Sequence, residues 1–182
     1  MQGHIGTVTI DCIRGDITRQ PEFVAVVNAA NARLLPGGGV AGAIHRAAGP
    51  GLAREAAPLG PIAPGEVVLT GAHHLPNRYV IHCLGPVYGR DEPAAEILAR
   101  CYRGALELAE RHGIESVVFP AISTGAFGYP LPAAARVAME ATAEVAPRLK
   151  RVRRVRFALF GAAALEAHER ELSRVLGRLD LS

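Results

Sequence analysis

The chain has 182 residues, 49% of them apolar and 20% charged, with a formal net charge of +3. One domain is the expectation for that length, and the apolar fraction is enough for a sizeable core. No run of about 18 apolar residues occurs, so no membrane-spanning helix is expected.

The opening MQGHIGTVTIDCIRGD lacks a basic start followed by a long apolar stretch, so it does not read as a secretory signal. Cys12, Cys83 and Cys101 are odd in number and far apart, which argues against a disulfide framework and for a reducing, cytoplasmic setting. In chain order, residues 7–13 (TVTIDCI) and 23–28 (FVAVVN) predict strands, the second a short, almost wholly apolar run suited to burial. GAIHRAAG and GLAREAAPL predict short helices around Gly49-Pro50, and residues 66–72 and 78–85 predict two further strands. Ile97, Leu98, Cys101, Ala105, Leu108 and Ala109 recur at helical spacing, with Gly113 just past the last turn. Residues 115–123 predict another buried strand, and Pro132 suits the first turn of a helix carrying Val137, Ala138, Ala141 and Val145. A strand at 155–160 and a closing amphipathic helix complete an α/β pattern with a mixed, largely parallel sheet.

In such sheets ligands sit at the carboxyl ends of the strands. Three loops of unusual composition follow strand ends: GDIT (15–18), NAANARLLPGGGV (28–40) and STGAFGYP (123–130). Gly37, Gly38 and Gly39 have no Cβ, so their N–H groups can approach a ligand closely, and they lead into the positive end of a helix starting near Val40 to Gly42. That combination suits phosphate. Ser123, Thr124, Gly125 and Gly128 repeat the theme before the helix at Pro132, and two such loops suit a diphosphate. Asp16 can accept a hydrogen bond from an exocyclic amino group of a base. Phe160 either stacks on a base or is a plain core aromatic. Asn28 and Asn31 suit the vicinal hydroxyls of a sugar, or cap local turns. The parts describe a dinucleotide-like ligand.

Competing chemistries fit less well. Gly37-x-Gly39-x-x-Gly42 has the spacing of a dinucleotide fingerprint, but residues 29–36 separate it from its strand, and the strand at 66–71 ends without the ribose-binding acid. No GK[ST] triplet exists, which excludes a P-loop. His73, His74, His82 and Cys83 have no metal-ligand spacing, and alternation sends His82 and Cys83 to opposite faces, so no metal is expected. Ser123 lacks a nucleophile elbow. The basic run 148–156 reads as a helix end, a loop and the polar face of a strand, with RNA association as the competing reading.

The ordered set GDIT, NAAN, GGGV-x-GAIHRAAG, YVIHCLGP and PAISTGAFGYP resembles the macrodomain family of ADP-ribose-binding modules. The likeness runs over nearly the whole chain and is nearest to the MacroD-like ADP-ribosyl hydrolases and O-acetyl-ADP-ribose deacetylases. It implies a three-layer α/β/α fold with a mixed, largely parallel sheet, residues 1–182 forming one macrodomain. It implies that Asp16 and Ile17 hold adenine, Asn31 the distal ribose with Asn28 supporting the loop, and Gly38, Gly39 and Val40 the diphosphate and distal ribose. Ser123, Thr124, Gly125 and Ala126 become the second phosphate loop, and Phe127 packs on the distal ribose. Two residues depart from the branch: Pro36 replaces a usual glycine, and Ala41 replaces the aspartate held to position or activate water. Asn31 and Gly39 are then left to place the distal ribose and water. The resemblance implies hydrolysis of ADP-ribosyl esters, or, given Ala41, a non-catalytic reader. No cofactor, membrane or nucleic acid is expected as partner, and a monomer is expected.

Overall fold

Alternation of buried and partly exposed residues from Val8 to Ile13 makes this segment a strand that buries one face more deeply than the other, whereas Ala25–Ala29 and Ser116–Phe119 are buried on both faces. The computed structural model describes residues 1–182. Its strands are β1 (Gln2–Ile5), β2 (Val8–Arg14), β3 (Ala25–Ala29), β4 (Val67–Gly71), β5 (Tyr79–Cys83), β6 (Ser116–Phe119) and β7 (Arg154–Leu159). They form one sheet in the order β1-β2-β7-β6-β3-β5-β4. Strands β2, β7, β6, β3 and β5 are mutually parallel, and β1 and β4 close the two edges antiparallel. The expected mixed, largely parallel sheet is therefore present.

The helices are α1 (Gly39–Ala48), α2 (Gly51–Ala56), α3 (Ala94–Arg111), α4 (Leu131–Val145) and α5 (Ala162–Asp180). Because successive strand residues face opposite ways, Val26, Val80 and Val118 meet Ile44, Ala48 and Leu52 of α1 and α2. Their neighbours Val27, Ile81, Val117 and Phe119 meet Leu98, Tyr102, Ala138 and Leu172 of α3, α4 and α5 on the other face. This is the three-layer α/β/α arrangement. No helix is long and apolar enough to cross a membrane.

Two local features differ from the sequence expectation. Strand β1 was not foreseen: QGHI has no apolar run, and it is a strand because Gly6, at φ +59°, lets the chain turn back so that Gln2 to Ile5 pair with Asp11 to Val8. The helix α1 begins at Gly39, ahead of Val40, since Gly39 at φ +55° is its first residue. The basic run takes the form expected of a helix end, a loop and a strand face. Arg148 ends a short 3-10 turn, and Arg156 on β7 pairs with Asp11 of β2 at 2.8 Å.

Candidate active site

Parallel pairing places the carboxyl ends of β2, β7, β6, β3 and β5 on one rim. The loops after β3 and β6, together with Gly85 after β5, enclose a cavity of about 280 Å³. Asn31, Gly38, Gly39, Val40, Ala41, Ser123, Gly125, Ala126 and Phe127 all line it, as do Gly37, Ala121 and Ile122. The sequence reading thus brought most of its residues to one place. No Asp, Glu, His, Lys or Arg side chain lines the cavity.

The walls are backbone donors. The N–H groups of Gly37, Gly38, Gly39, Val40 and Ala41 make no hydrogen bond within the chain; the last three are the first donors of α1, which have no earlier helical carbonyl to reach. Opposite them, the N–H groups of Gly125, Ala126 and Phe127 are equally unpaired. That second loop is held by Tyr129 N–H donating to Ser123 O at 2.9 Å, by Gly128 N–H to Gly125 O at 3.0 Å, and by the Thr124 hydroxyl to Ala121 O at 2.8 Å. Ser123 sits at φ +65°, a left-handed conformation, and its buried Oγ has no partner. Both loops that line the cavity thus leave backbone N–H groups free, one set at a helix start, an arrangement that suits an anion.

Three glycines make this geometry possible, and one of them, Gly85, does not stand out in the sequence. A Cβ on Gly42 would stand 2.3 Å from Gly37 O, so its absence lets the glycine loop fold onto α1. A Cβ on Gly85 would stand 2.1 Å from Ser123 Oγ and 2.7 Å from Ile122 Cγ2. Gly39 supplies the positive φ and faces open space. The signal for Gly85 lay in its distance along the chain from Ser123, which only the fold removes.

The asparagines divide in role. Both atoms of the Asn31 amide close a turn: Nδ2 donates to Leu35 O at 2.7 Å and Oδ1 accepts from Leu35 N–H at 3.0 Å. Asn28 does not reach the cavity; it is fully buried below it, with Nδ2 3.1 Å from His82 Nδ1. The Thr70 hydroxyl has one proton, which goes to Gly71 O at 3.0 Å, so His82 Nε2, 2.9 Å away, must carry a hydrogen and donate. His82 Nδ1 then accepts from Asn28, and the ring is neutral. Burial agrees, pushing the His82 pKa down to about 4. His45, one turn after Ala41 on α1, is buried with neither ring nitrogen partnered, and burial lowers its pKa also.

Asp16, Ile17 and Phe160 do not line this cavity; they stand at the ends of β2 and β7, tied together by Gly15 N–H donating to Leu159 O at 3.0 Å. The Asp16 carboxylate accepts from the Thr18 hydroxyl at 2.7 Å and its N–H at 2.9 Å, and these bonds hold its pKa below the usual carboxylate range. The Ile17 N–H has no internal acceptor. Phe160 is 94% exposed, which rules out the core-aromatic alternative. The histidines once weighed as metal ligands lie apart. His73 pairs with Glu55 at 2.8 Å, His82 is held by Asn28 and Thr70, and Cys83 packs in the core on the α3 side. Nowhere do three His, Cys, Asp or Glu side chains converge as a metal site would require.

Comparison with known proteins agrees with this architecture. An O-acetyl-ADP-ribose deacetylase of Enterobacter cloacae is 42% identical over 170 residues, covering 91% of this chain and 94% of that protein. The Oceanobacillus iheyensis macrodomain solved with ADP is 35% identical and superposes with a TM-score of 0.92, covering 98% of this chain and 97% of that one. The Trypanosoma brucei macrodomain in complex with ADP-ribose is 41% identical with a TM-score of 0.82, over 88% of this chain and 68% of that one. Residues 27–138, which carry both rows of free backbone donors, match the family described as Macro domain, and this chain belongs to that family.

Proposed function

We propose that this chain binds ADP-ribose in the cleft and hydrolyses ADP-ribosyl esters, either on the carboxylates of mono-ADP-ribosylated proteins or in O-acetyl-ADP-ribose. The observation that carries the reading is the pair of facing backbone donor sets in a cavity without charged side chains. Such a site suits a diphosphate, whose charge is matched by N–H dipoles and the start of α1. In this reading Asp16 and the Ile17 N–H take the adenine edge and Phe160 its face. Gly38, Gly39 and Val40 face Ser123, Thr124, Gly125 and Ala126 across the diphosphate. Phe127 packs on the distal ribose, and Asn31 orients it through the turn that its amide closes. Asn28 supports that loop from beneath.

Ester cleavage needs a placed water that adds to the acyl carbon while the ribose oxygen leaves with a proton. Ala41 lines the cavity where relatives in the MacroD-like branch carry an aspartate, and no other titratable side chain lines it. Losing a general base costs about 10²–10⁴-fold. Hydrolysis here is therefore slow and depends on placement, with a substrate phosphate oxygen orienting the water. Ala41 equally favours the second reading, a module that binds ADP-ribosylated protein without turnover. Residues 1–182 act in either case as one macrodomain and as a monomer. Three buried, unpaired cysteines suit a reducing cytoplasm.

One sample decides between the readings. Calorimetry with ADP-ribose is expected to give binding, and a glutamate-linked ADP-ribosyl protein is expected to be released slowly. Ala41→Asp should then raise the release rate. Binding without release, by the wild type and by Ala41→Asp alike, would make the chain a reader, and absence of binding would end both readings.

A further inference from the structure

The turn closed by Asn31 holds the Leu35 backbone by both its N–H and its carbonyl, two residues before the cavity-lining Gly37, and the apolar side chain is 42% exposed. Arg33 lies within the same turn, is exposed, and makes no ion pair. Arg46 comes from α1. Helical side chains lean toward the helix start, and its Nη1 lies 3.0 Å from the point where a Gly42 Cβ would stand, itself beside Gly37 O. Arg46 is also exposed and without an ion pair. The carboxylates on the loop after β5 are already engaged: Asp91 accepts from Val87 N–H at 2.8 Å and pairs with Arg90 at 3.4 Å, and Glu92 accepts from Ala94 N–H at 3.3 Å. The glycine loop and α1 thus carry two exposed guanidinium groups without an ion-pair partner and an exposed leucine.

None of these side chains lines the cavity. They belong to the loop and the helix that supply its glycine wall. A ligand contained in the cavity does not meet them, whereas a polypeptide attached to that ligand has to leave the cavity past its rim. We propose that Arg33, Leu35 and Arg46 form a docking surface for the acidic polypeptide segment flanking an ADP-ribosylated residue. The cleft is thereby fitted to modified protein of acidic local sequence rather than to a free small ester. The inference rests on the reading of the cleft as an ADP-ribose site.

The test uses three ligands: free ADP-ribose, and two peptides of equal length with the same hydrolysis-resistant ADP-ribosyl linkage, one flanked by glutamates and one by glutamines. The glutamate peptide is expected to bind about three- to tenfold more tightly than the glutamine peptide at low salt, the size that two exposed ion pairs supply. The difference should close at about 1 M salt, where screening acts over about 3 Å. Arg33→Gln with Arg46→Gln should equalise the two peptides and leave the affinity for free ADP-ribose unchanged, which also reports that the variant is folded. Arg33→Glu should make the glutamine peptide the better ligand. Equal affinity of the wild type for both peptides overturns the proposal. So does loss of the glutamate preference on adding unmodified oligouridylate, which would make the edge a phosphate reader. Failure of free ADP-ribose to bind overturns the underlying reading instead.

Discussion

At the scale of single residues, the site depends on atoms that are missing. Gly42 and Gly85 bring no side chain; each leaves room for a loop whose N–H groups are free. Gly85→Ala would put a methyl 2.1 Å from Ser123 Oγ, and the strained Ser123, at φ +65°, cannot retreat without unseating the second loop. Overpacking of this kind costs about 1–3 kcal/mol. The expected outcome is a modest fall in melting temperature and a loss of about tenfold or more in ADP-ribose affinity, equivalent to about 1.4 kcal/mol. Gly42→Ala meets a backbone oxygen at 2.3 Å rather than a side chain, so it should damage binding more for a similar loss of stability. Calorimetry beside thermal melting separates the two effects. If Gly85→Ala binds ADP-ribose as the wild type does, Ser123 has no part in holding the loop. The glycine triplet was legible in the sequence because it is a local pattern. Gly85 was not, since its partner is brought to it only by the pairing of β3 with β5 and β6.

At the scale of elements, Asn28 of β3, His82 of β5 and Thr70 of β4 form a polar ladder across three neighbouring strands, directly beneath the cleft. Burial inside this ladder disfavours the charged form of His82. The sign of the pH effect follows. The folded pKa of His82, about 4, lies below the ordinary value of about 6.5. Between these values the unfolded chain binds a proton that the folded chain refuses, so stability falls as pH drops through that window. Stability is undiminished well above the unfolded value, and the loss reaches about 3 kcal/mol by pH 4. Buried His45 and His168, also lowered by burial, act in the same direction. Urea unfolding between neutral pH and pH 4 should show this slope, and His82→Gln should flatten it while lowering stability at neutral pH. An unchanged slope in that variant would assign the acid sensitivity elsewhere. The strands themselves were legible because buried β-rich runs such as AVVNA and SVVF are distinctive, and α3 because its apolar stripe repeats along the helix. The ladder was not legible: His82 and Asn28 read as a possible ligand and a sugar contact, and only the register Asn28 opposite His82 turns them into a structural pair.

At the scale of the whole molecule, the sheet has a polarity that separates the cleft from the basic run 148–156. The cleft lies at the carboxyl ends of the parallel strands, while the basic run enters β7 at its amino end. Several of its cations are also committed to structure. Arg154 and Arg156 lie over the Phe23 ring at 4.6 and 4.8 Å, and Arg156 adds Asp11 at 2.8 Å, Gln20 at 3.1 Å and Glu22. Charge and composition made the run visible in the sequence. Which end of the sheet it occupies, and which carboxylates answer it, depends on β2 lying beside β7, a pairing between segments far apart in the chain. Two outcomes follow. Arg151→Gln, Arg153→Gln and Arg154→Gln together should leave ADP-ribose affinity unchanged, and the wild type should show no RNA binding whose logarithm falls steeply with salt. Arg156→Ala acts differently. With side chains only 14% and 15% exposed, Arg156 and Asp11 share a partly dry interface, and removing the cation strands a carboxylate there. A loss of about 2–3 kcal/mol is expected, or about 5–10 °C in melting temperature for a chain of this size. ADP-ribose should still bind the folded fraction, with any loss of affinity confined to the adenine end, because Gln20 accepts from Arg156 at 3.1 Å and donates to Asp16 O at 2.9 Å. A binding loss that exceeds the loss of folded protein would mean that Gln20 transmits the defect to Asp16.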